Sequence, residues 1–187
     1  MQLPIDDGTG RARYGCGFPY PFLSTEHDGS SPADGGWALA SDTIYAFPMA
    51  VAADVTASTI GVDVDFIQAT GGAKWGIYDA GTDFKPNHLL ASATSATAFT
   101  SGGTNEAALS ITLEGGKLYW FAIMAGTNLC RAKTFFPQFI LGGQAYQTAF
   151  VGLRKTSQPY ATGLPATWTG GELVSDGQDG TIAIWVK

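Results

Sequence analysis

The stretch 112-TLEGGKLYWFAIMA-125 carries the most informative pattern in the sequence. Successive side chains of a β-strand point to opposite faces, and here both faces are apolar. One face would carry Leu118, Trp120, Ala122 and Met124, and the other Tyr119, Phe121 and Ile123. Gly115 and Gly116 precede the strand, and glycine accepts the positive φ of a tight turn. The pattern predicts a central strand whose sheet is covered on both sides.

The composition is that of a β protein with few charges. The chain has 187 residues, 45% of them hydrophobic and 14% charged, and it contains 25 glycines. An average soluble domain carries about 25% charged residues. Two interpretations stay open: part of the surface is covered by other subunits, or the chain is a compact β domain with loops rich in Ser, Thr and Gly. The length fits one domain.

The charge balance and the hydropathy pattern narrow the range of partners. The net charge is −6, and no basic patch of the kind that nucleic-acid binders carry is present. The N-terminus lacks the basic start and apolar run of a signal peptide. No apolar run reaches the length of about 18 residues that spans a membrane. We therefore expect neither a nucleic acid nor a membrane as partner.

From residue 37 onward, short apolar or alternating segments are separated by Gly-, Asn- and Asp-rich turns. The predicted strands cover 43–47, 58–66, 74–78, a segment from Leu89, 108–113, 118–125, 134–141, 144–153 and 181–187, with loops at 79–87 and 160–171. No helical periodicity is present. Such spacing predicts an all-β, antiparallel two-sheet sandwich of the jelly-roll type over residues 37–187.

Residues 1–36 have a different composition, rich in Pro, Gly and aromatic residues and poor in aliphatic ones. Pro19 and Pro21 lack backbone donors, which disfavours a central strand. We predict an extended, irregular N-terminal arm that ends in a hinge at 27–36. Its aromatic side chains pack either on the chain's own sandwich or on a neighbouring subunit. The predicted contact residues are Arg11, Arg13, Tyr14, Phe18, Tyr20 and Phe22.

The residues with chemical potential form no catalytic or metal-binding signature. His27 and His88 lack partners at a motif spacing, and Asp63 with Asp65 fits a solvated strand face. The segment 175–180, SDGQDG, fits a tight turn better than a calcium loop. Cys16 and Cys130 are predicted to be reduced, although a disulfide stays open. We predict no enzyme, no metal and no cofactor.

Loop aromatics offer a second kind of site, because rings stack on sugars. Three aromatic residues fall in predicted loops or at strand ends, and they are the candidate glycan-binding residues: Trp37, Tyr160 and Trp168. The alternative is that they cap the ends of the sandwich. The other tryptophans, Trp75, Trp120 and Trp185, are predicted to lie in the core.

Three segments follow one another in a distinctive order: WGIYD at 75–79, LLASAT at 89–94 and ITLEGGKLYWFAI at 111–123. This order resembles a β-sandwich module of bacteriophage structural proteins. The resemblance implies a non-enzymatic virion protein, either a capsid decoration or a tail or baseplate accessory. It says nothing about residues 1–36. The low charge and the expected edge strands predict self-association, and we expect the arm to dock on other virion subunits while the sandwich presents its loops outward. The alternative is a module that binds carbohydrate or a host receptor.

Overall fold

The structure is a computed structural model. It describes residues 5–6, 12–15, 37–51, 53–67, 72–94, 103–126, 130–132, 134–135, 150–175, 181–182 and 184–187. The strands are β1 (Ile5–Asp6), β2 (Ala12–Gly15), β3 (Trp37–Leu39), β4 (Ile44–Ala50), β5 (Val55–Ile67), β6 (Ala73–Ala80), β7 (Pro86–Thr94), β8 (Gly103–Leu113), β9 (Leu118–Ala125), β10 (Cys130–Ala132), β11 (Thr134–Phe135), β12 (Phe150–Lys155), β13 (Glu172–Ser175), β14 (Thr181–Ile182) and β15 (Ile184–Val186). A 3-10 turn, Tyr160–Thr162, is the only helical element in these ranges.

The strands form two main antiparallel sheets, which confirms the predicted sandwich. The first sheet has the order β1-β2-β15-β5-β10-β3, with β8 on the opposite side of β5. The second has the order β13-β12-β4-β9-β6-β7. The chain changes sheet between β4 and β5, β5 and β6, β7 and β8, and β8 and β9, an alternation typical of jelly-roll sandwiches. Strands β11 and β14 pair separately.

Strand β9 lies in the middle of the second sheet, between β4 and β6, as its two apolar faces predicted. Tyr119, Phe121 and Ile123 pack into the core between the two sheets. Trp120, Ala122 and Met124 pack into a second cluster on the outer face. Gly116 has a φ of +78°, so the turn before β9 uses the conformation that glycine permits.

The core between the sheets is filled by large side chains from both layers. The first sheet contributes Leu39, Ile60, Val62, Leu109, Leu113, Ile184 and Val186, and the second contributes Phe47, Trp75, Ile77 and the inner face of β9. Each fully buried Leu, Ile or Phe contributes about 1.5–3 kcal/mol relative to an exposed one. The inward positions predicted for Trp75 and Ile77 are confirmed.

Trp185 packs on the other face of the first sheet, over a glycine. It pairs in register with Gly61 of β5 and Gly15 of β2. A Cβ at Gly61 would lie 2.5 Å from the indole ring, so the absent side chain makes room for it. Trp185 is buried, as predicted, but on the outer face of this sheet and not between the two sheets.

A segment that we call the strap, residues 156–171, covers the outer face of the second sheet. It leaves the end of β12, reaches β7 at the opposite edge, and is followed by β13, which returns to pair with β12. Tyr160, Leu164 and Trp168 of the strap pack on Tyr78, Trp120 and Met124 of the sheet. The sandwich therefore has a partial third layer, and this layer is what buries the second face of β9.

Several boundaries differ from the sequence prediction: β4 continues to Ala50, β5 begins at Val55 and β8 begins at Gly103. The predicted loop at 79–87 is shorter, because β6 continues to Ala80 and β7 begins at Pro86. Pairing between these strands extends them beyond what local propensity indicates. The predicted strands at 134–141 and 144–153 are described only at 134–135 and from Phe150 onward.

The described part of the N-terminal stretch consists of two short strands, β1 and β2, which belong to the first sheet. Strand β2 pairs with β15, placing Tyr14 opposite Val186 and Gly15 opposite Trp185. This pairing joins residues far apart in sequence, so a local periodicity does not reveal it. Apart from 5–6 and 12–15, the segment 1–36 lies outside the described residues.

Candidate functional site

The strap begins with contacts that fix its direction across the sheet. The Gln158 N–H donates to the Asp42 carbonyl oxygen at 2.9 Å, and the Tyr160 N–H donates to Asp42 Oδ1 at 2.7 Å. Lys74 Nζ donates to the Tyr160 carbonyl oxygen at 2.6 Å and lies 4.5 Å from the centroid of its ring. Charge-assisted bonds of this kind are stronger than neutral ones. These contacts hold the first turn of the strap against the turn that precedes β4 and against β6.

The middle of the strap rests on a glycine and a buried tyrosine of β6. A Cβ at Gly76 would lie 2.5 Å from Leu164 Cδ1, so glycine permits this close approach. The Tyr78 hydroxyl donates to the Pro165 carbonyl oxygen at 2.9 Å. Burial raises the pKa of Tyr78 well above the ordinary tyrosine value, because the phenolate would lose its hydration.

The end of the strap pairs with the edge of the second sheet. The Leu89 N–H donates to the Ala166 carbonyl oxygen at 2.9 Å, and the Trp168 N–H donates to the Asn87 carbonyl oxygen at 2.7 Å. The Trp168 ring packs edge-on against Tyr78, with centroids 5.5 Å apart, and its Nε1–H donates to the Gly170 carbonyl oxygen at 2.7 Å. The strap thus covers the first half of β7, an edge strand that would otherwise be open.

A cleft of about 400 Å³ opens beside this end of the strap. One wall is formed by the segment 81–87, with the exception of Phe84, and the other by Trp168, Gly170 and Gly171. Gly170 and Gly171 have φ values of +73° and +109°, which side chains rarely adopt. The cleft therefore lies between the β6–β7 turn and a stretch of backbone that requires glycine.

The β6–β7 turn, residues 81–85, is held by four hydrogen bonds. Gly81 N–H donates to the Lys85 carbonyl, Phe84 N–H to the Gly81 carbonyl, and Lys85 N–H to Asp83 Oδ1. Trp120 Nε1–H donates to the Phe84 carbonyl oxygen at 2.9 Å, which ties the turn to β9. The turn is thus ordered by contacts of its backbone.

Phe84 is the unusual residue of this turn. Its side chain is 72% exposed, and its φ of +62° lies in the left-handed region. A bulky residue with positive φ is an outlier, and such strain concentrates at functional sites. Phe84 is not among the residues predicted from the sequence, although a lone aromatic residue inside a polar turn is a signal for it.

The three residues predicted to bind a glycan have different environments in the structure. Trp168 is only 6% exposed; it packs into the outer cluster and also lines one wall of the cleft. The Tyr160 ring has Lys74 over it and approaches Gly126, where a Cβ would lie 3.2 Å from the ring. Trp37 belongs to β3, and its side chain lies outside what the structure describes.

The predicted arm contacts remain predictions. Arg13 and Tyr14 belong to β2, whose backbone alone is described. Arg11, Phe18, Tyr20 and Phe22 lie outside the described residues. Cys16 and the segment 176–180 lie outside them as well, so neither the redox state of the cysteines nor the turn is tested.

His88, one of the two histidines considered in the sequence, lies beside Asp79. His88 Nδ1 lies 3.4 Å from Asp79 Oδ2, and the His88 N–H donates to Asp79 Oδ1 at 2.6 Å. Both side chains are accessible to solvent, and the described residues hold no group of three or more His, Cys, Asp or Glu suited to a metal ion. Across the same residues, no helix is long and apolar enough to cross a membrane.

The architecture defines the class of protein: an all-β, antiparallel two-sheet sandwich whose second sheet is covered on its outer face by a strap. Comparison with known proteins adds no relative, since no protein-family model, curated protein or solved structure matches the chain.

Proposed function

We propose that this chain is a non-enzymatic structural subunit of a bacteriophage particle, a capsid decoration or a tail or baseplate accessory. It assembles with copies of itself and with other subunits of the virion. The resemblance of the segments 75–79, 89–94 and 111–123 to phage β-sandwich modules supports the assignment to a virion. The edge of the first sheet supports assembly, and this observation carries the proposal.

That edge is formed by β8, Gly103–Leu113, which pairs with β5 along one side. Among the described strands, none pairs with its other side. A long edge strand presents a row of backbone donors and acceptors to any strand that aligns with it. Monomeric proteins usually block such edges with lysines, prolines or a covering segment.

Strand β8 carries little of this protection. Its one ionisable side chain is Glu106, and Lys187 Nζ of the same chain donates to Glu106 Oε1 at 2.6 Å. It contains no proline or lysine, and a single register shift occurs opposite Ala57–Thr59. The β7 edge, by contrast, has two register shifts and is half covered by the strap. A second copy that meets β8 antiparallel across a two-fold axis would continue the sheet from one subunit into the next.

The test adds one positive charge to the exposed face of the β8 edge. Ser110 is exposed on that face. When two β8 strands meet, the lysines of two Ser110→Lys chains would lie close together and repel each other, which should prevent the pairing. Thr156→Lys, on the exposed start of the strap, is the matched control. We expect the wild type to sediment above the monomer mass of 19.5 kDa, and Ser110→Lys to return it to that mass. Thr156→Lys should behave as the wild type.

The assembly proposal is wrong if the wild type is monomeric over the whole accessible concentration range. It is also wrong in its choice of surface if Ser110→Lys and Thr156→Lys associate equally. Circular dichroism of each variant separates loss of association from loss of fold.

The N-terminal stretch is proposed as a second contact with neighbouring subunits, through its aromatic residues beyond β2. The β2–β15 pairing involves Tyr14 and Gly15, so replacing Phe18, Tyr20 and Phe22 together by Ser changes none of its paired residues. The triple variant should bind purified particles less than the wild type does while unfolding at the same denaturant concentration. Unchanged incorporation would remove this stretch from the assembly.

The assignment to a virion is tested independently of the interface. Antibodies against this chain should label particles purified from the phage or prophage that carries its gene. Mass spectrometry of the same particles should detect the chain at a fixed ratio to the capsid protein. Its absence from intact particles would refute the assignment.

A further inference from the structure

The cleft between the β6–β7 turn and the end of the strap has features of a binding site. It belongs neither to the core nor to the β8 edge proposed for assembly. Its walls belong to two segments that are distant in sequence, the turn at 81–85 and the glycines that follow Trp168. The Trp168 N–H···O contact with Asn87, 2.7 Å long, joins the two walls. The cleft is therefore formed in the folded chain before any ligand arrives, which lowers the entropic cost of binding.

The charge of the cleft points to a neutral ligand. Asp83 and Lys85 carry opposite charges with their oxygen and nitrogen 3.7 Å apart, and both side chains are more than half exposed. A bound anion would meet Asp83 and a bound cation would meet Lys85, so neither is favoured. Together with Thr82 and Asn87, these side chains supply both hydrogen-bond donors and acceptors. Sugar hydroxyls need both kinds of partner.

Phe84 supplies the apolar part of such a site. It stands between the lining residues Asp83 and Lys85 in the sequence, outside the cleft itself, and the residue is 72% exposed. Its carbonyl is fixed by Trp120 Nε1–H, so the backbone that carries the ring is held in place. Aromatic rings bind the C–H faces of sugar rings, and an exposed aromatic residue on a strained turn is costly without a partner. An oligosaccharide is long enough to contact the cleft and this ring together.

We propose that the cleft and Phe84 form a binding site for a neutral oligosaccharide. Thr82, Asp83, Lys85 and Asn87 bind its hydroxyl groups, and the Phe84 ring stacks on one sugar. The site differs from the aromatic residues that the sequence suggested, since Trp168 only closes one wall. It is also independent of the β8 edge, so either proposal can fail without the other.

The experiment follows the backbone amide resonances of the full chain by NMR during titration with neutral oligosaccharides. The probes are cellohexaose, maltohexaose and chitohexaose, with polygalacturonate as an acidic comparison. We expect at least one neutral probe to shift the amides of 82–87 and 170–171 with a Kd of about 1 mM or tighter. Phe84→Ala should weaken that Kd about fivefold, and Phe84→Tyr, which keeps a ring, should not.

Leu90→Ala is the matched control, because Leu90 is the other large exposed hydrophobic residue that the structure describes, at 47% exposure. It should leave the Kd unchanged. The proposal is overturned if no neutral probe shifts these amides, if the shifts fall elsewhere, or if only polygalacturonate binds. It is equally overturned if Phe84→Ala and Leu90→Ala weaken binding to the same extent.

Discussion

Trp168→Ala tests whether the strap is part of the folded core. Trp168 is 6% exposed, packs edge-on against Tyr78 at 5.5 Å, and donates Nε1–H to the Gly170 carbonyl at 2.7 Å. Replacing a buried aromatic residue by Ala costs about 3–5 kcal/mol, and the cost is smaller where the surroundings can collapse into the space. The strap has solvent on its other side, so we expect about 3 kcal/mol.

A loss of that size leaves a domain folded when its total stability is about 5–15 kcal/mol. The expected change in melting temperature is therefore a decrease of about 6–12 °C for a domain of this length. Urea denaturation measures the free energy of unfolding directly. Hydrogen exchange gives the local result: the Leu89 amide, which donates to the Ala166 carbonyl, should exchange faster in the variant.

Thr169→Ala is the control, because Thr169 is the exposed neighbour of Trp168 and its substitution should change stability by less than about 0.5 kcal/mol. The reasoning is refuted if Trp168→Ala costs less than about 1 kcal/mol. Such a result would mean that the strap does not depend on this ring, and it would return Trp168 to the list of residues available to a ligand.

Three further predictions concern β5, β6 and the turn. Gly61→Ala should destabilise the chain by about 1–3 kcal/mol, since its Cβ would lie 2.5 Å from the rigid Trp185 ring; urea denaturation with Gly116→Ala as a comparison separates this clash from the effect of a positive φ. Above pH 10 the unfolded chain ionises Tyr78 while the folded chain, with its raised pKa, holds the proton, so the free energy of unfolding should fall as pH rises from about 10. Tyr78→Phe should flatten that decline and cost about 1 kcal/mol at neutral pH by removing the bond to Pro165; an equally steep decline in the variant would contradict the assignment. Phe84→Gly should raise stability by up to about 1 kcal/mol, because glycine accepts the φ of +62° without strain; a loss of stability would show that the Phe84 ring serves the fold rather than a ligand.

The sequence was sufficient for the fold class, because the decisive signals were local. A strand apolar on both faces, preceded by Gly115 and Gly116, identified β9 as central before its neighbours were known. The alternation of Trp75 and Ile77 assigned the inner face of β6 in the same way. These patterns depend only on the spacing of apolar side chains along the sequence, so they can be recognised without knowledge of the tertiary contacts.

The candidate site was less accessible to sequence reasoning, because it depends on contacts between distant segments. The loop at 160–171 was predicted, but nothing local indicates that the Tyr78 hydroxyl meets the Pro165 carbonyl or that Trp168 is buried there. For the same reason the sequence did not predict the pairing of the N-terminal stretch, because β2 pairs with β15, a strand at the far end of the chain. The exposure of Phe84 depends on the short β6–β7 turn, which the pairing of the two strands determines.

The strap also has a consequence for synthesis of the chain. The strands β4, β6 and β9 are all synthesised by residue 125. The strap that covers their outer side begins only at residue 156, so it is made later. During that interval the apolar surface around Trp120 and Met124 faces solvent in the nascent chain. Partly made chains of this kind are prone to aggregation, and chaperones bind them for that reason. Translation that stops between these points should therefore release an insoluble product.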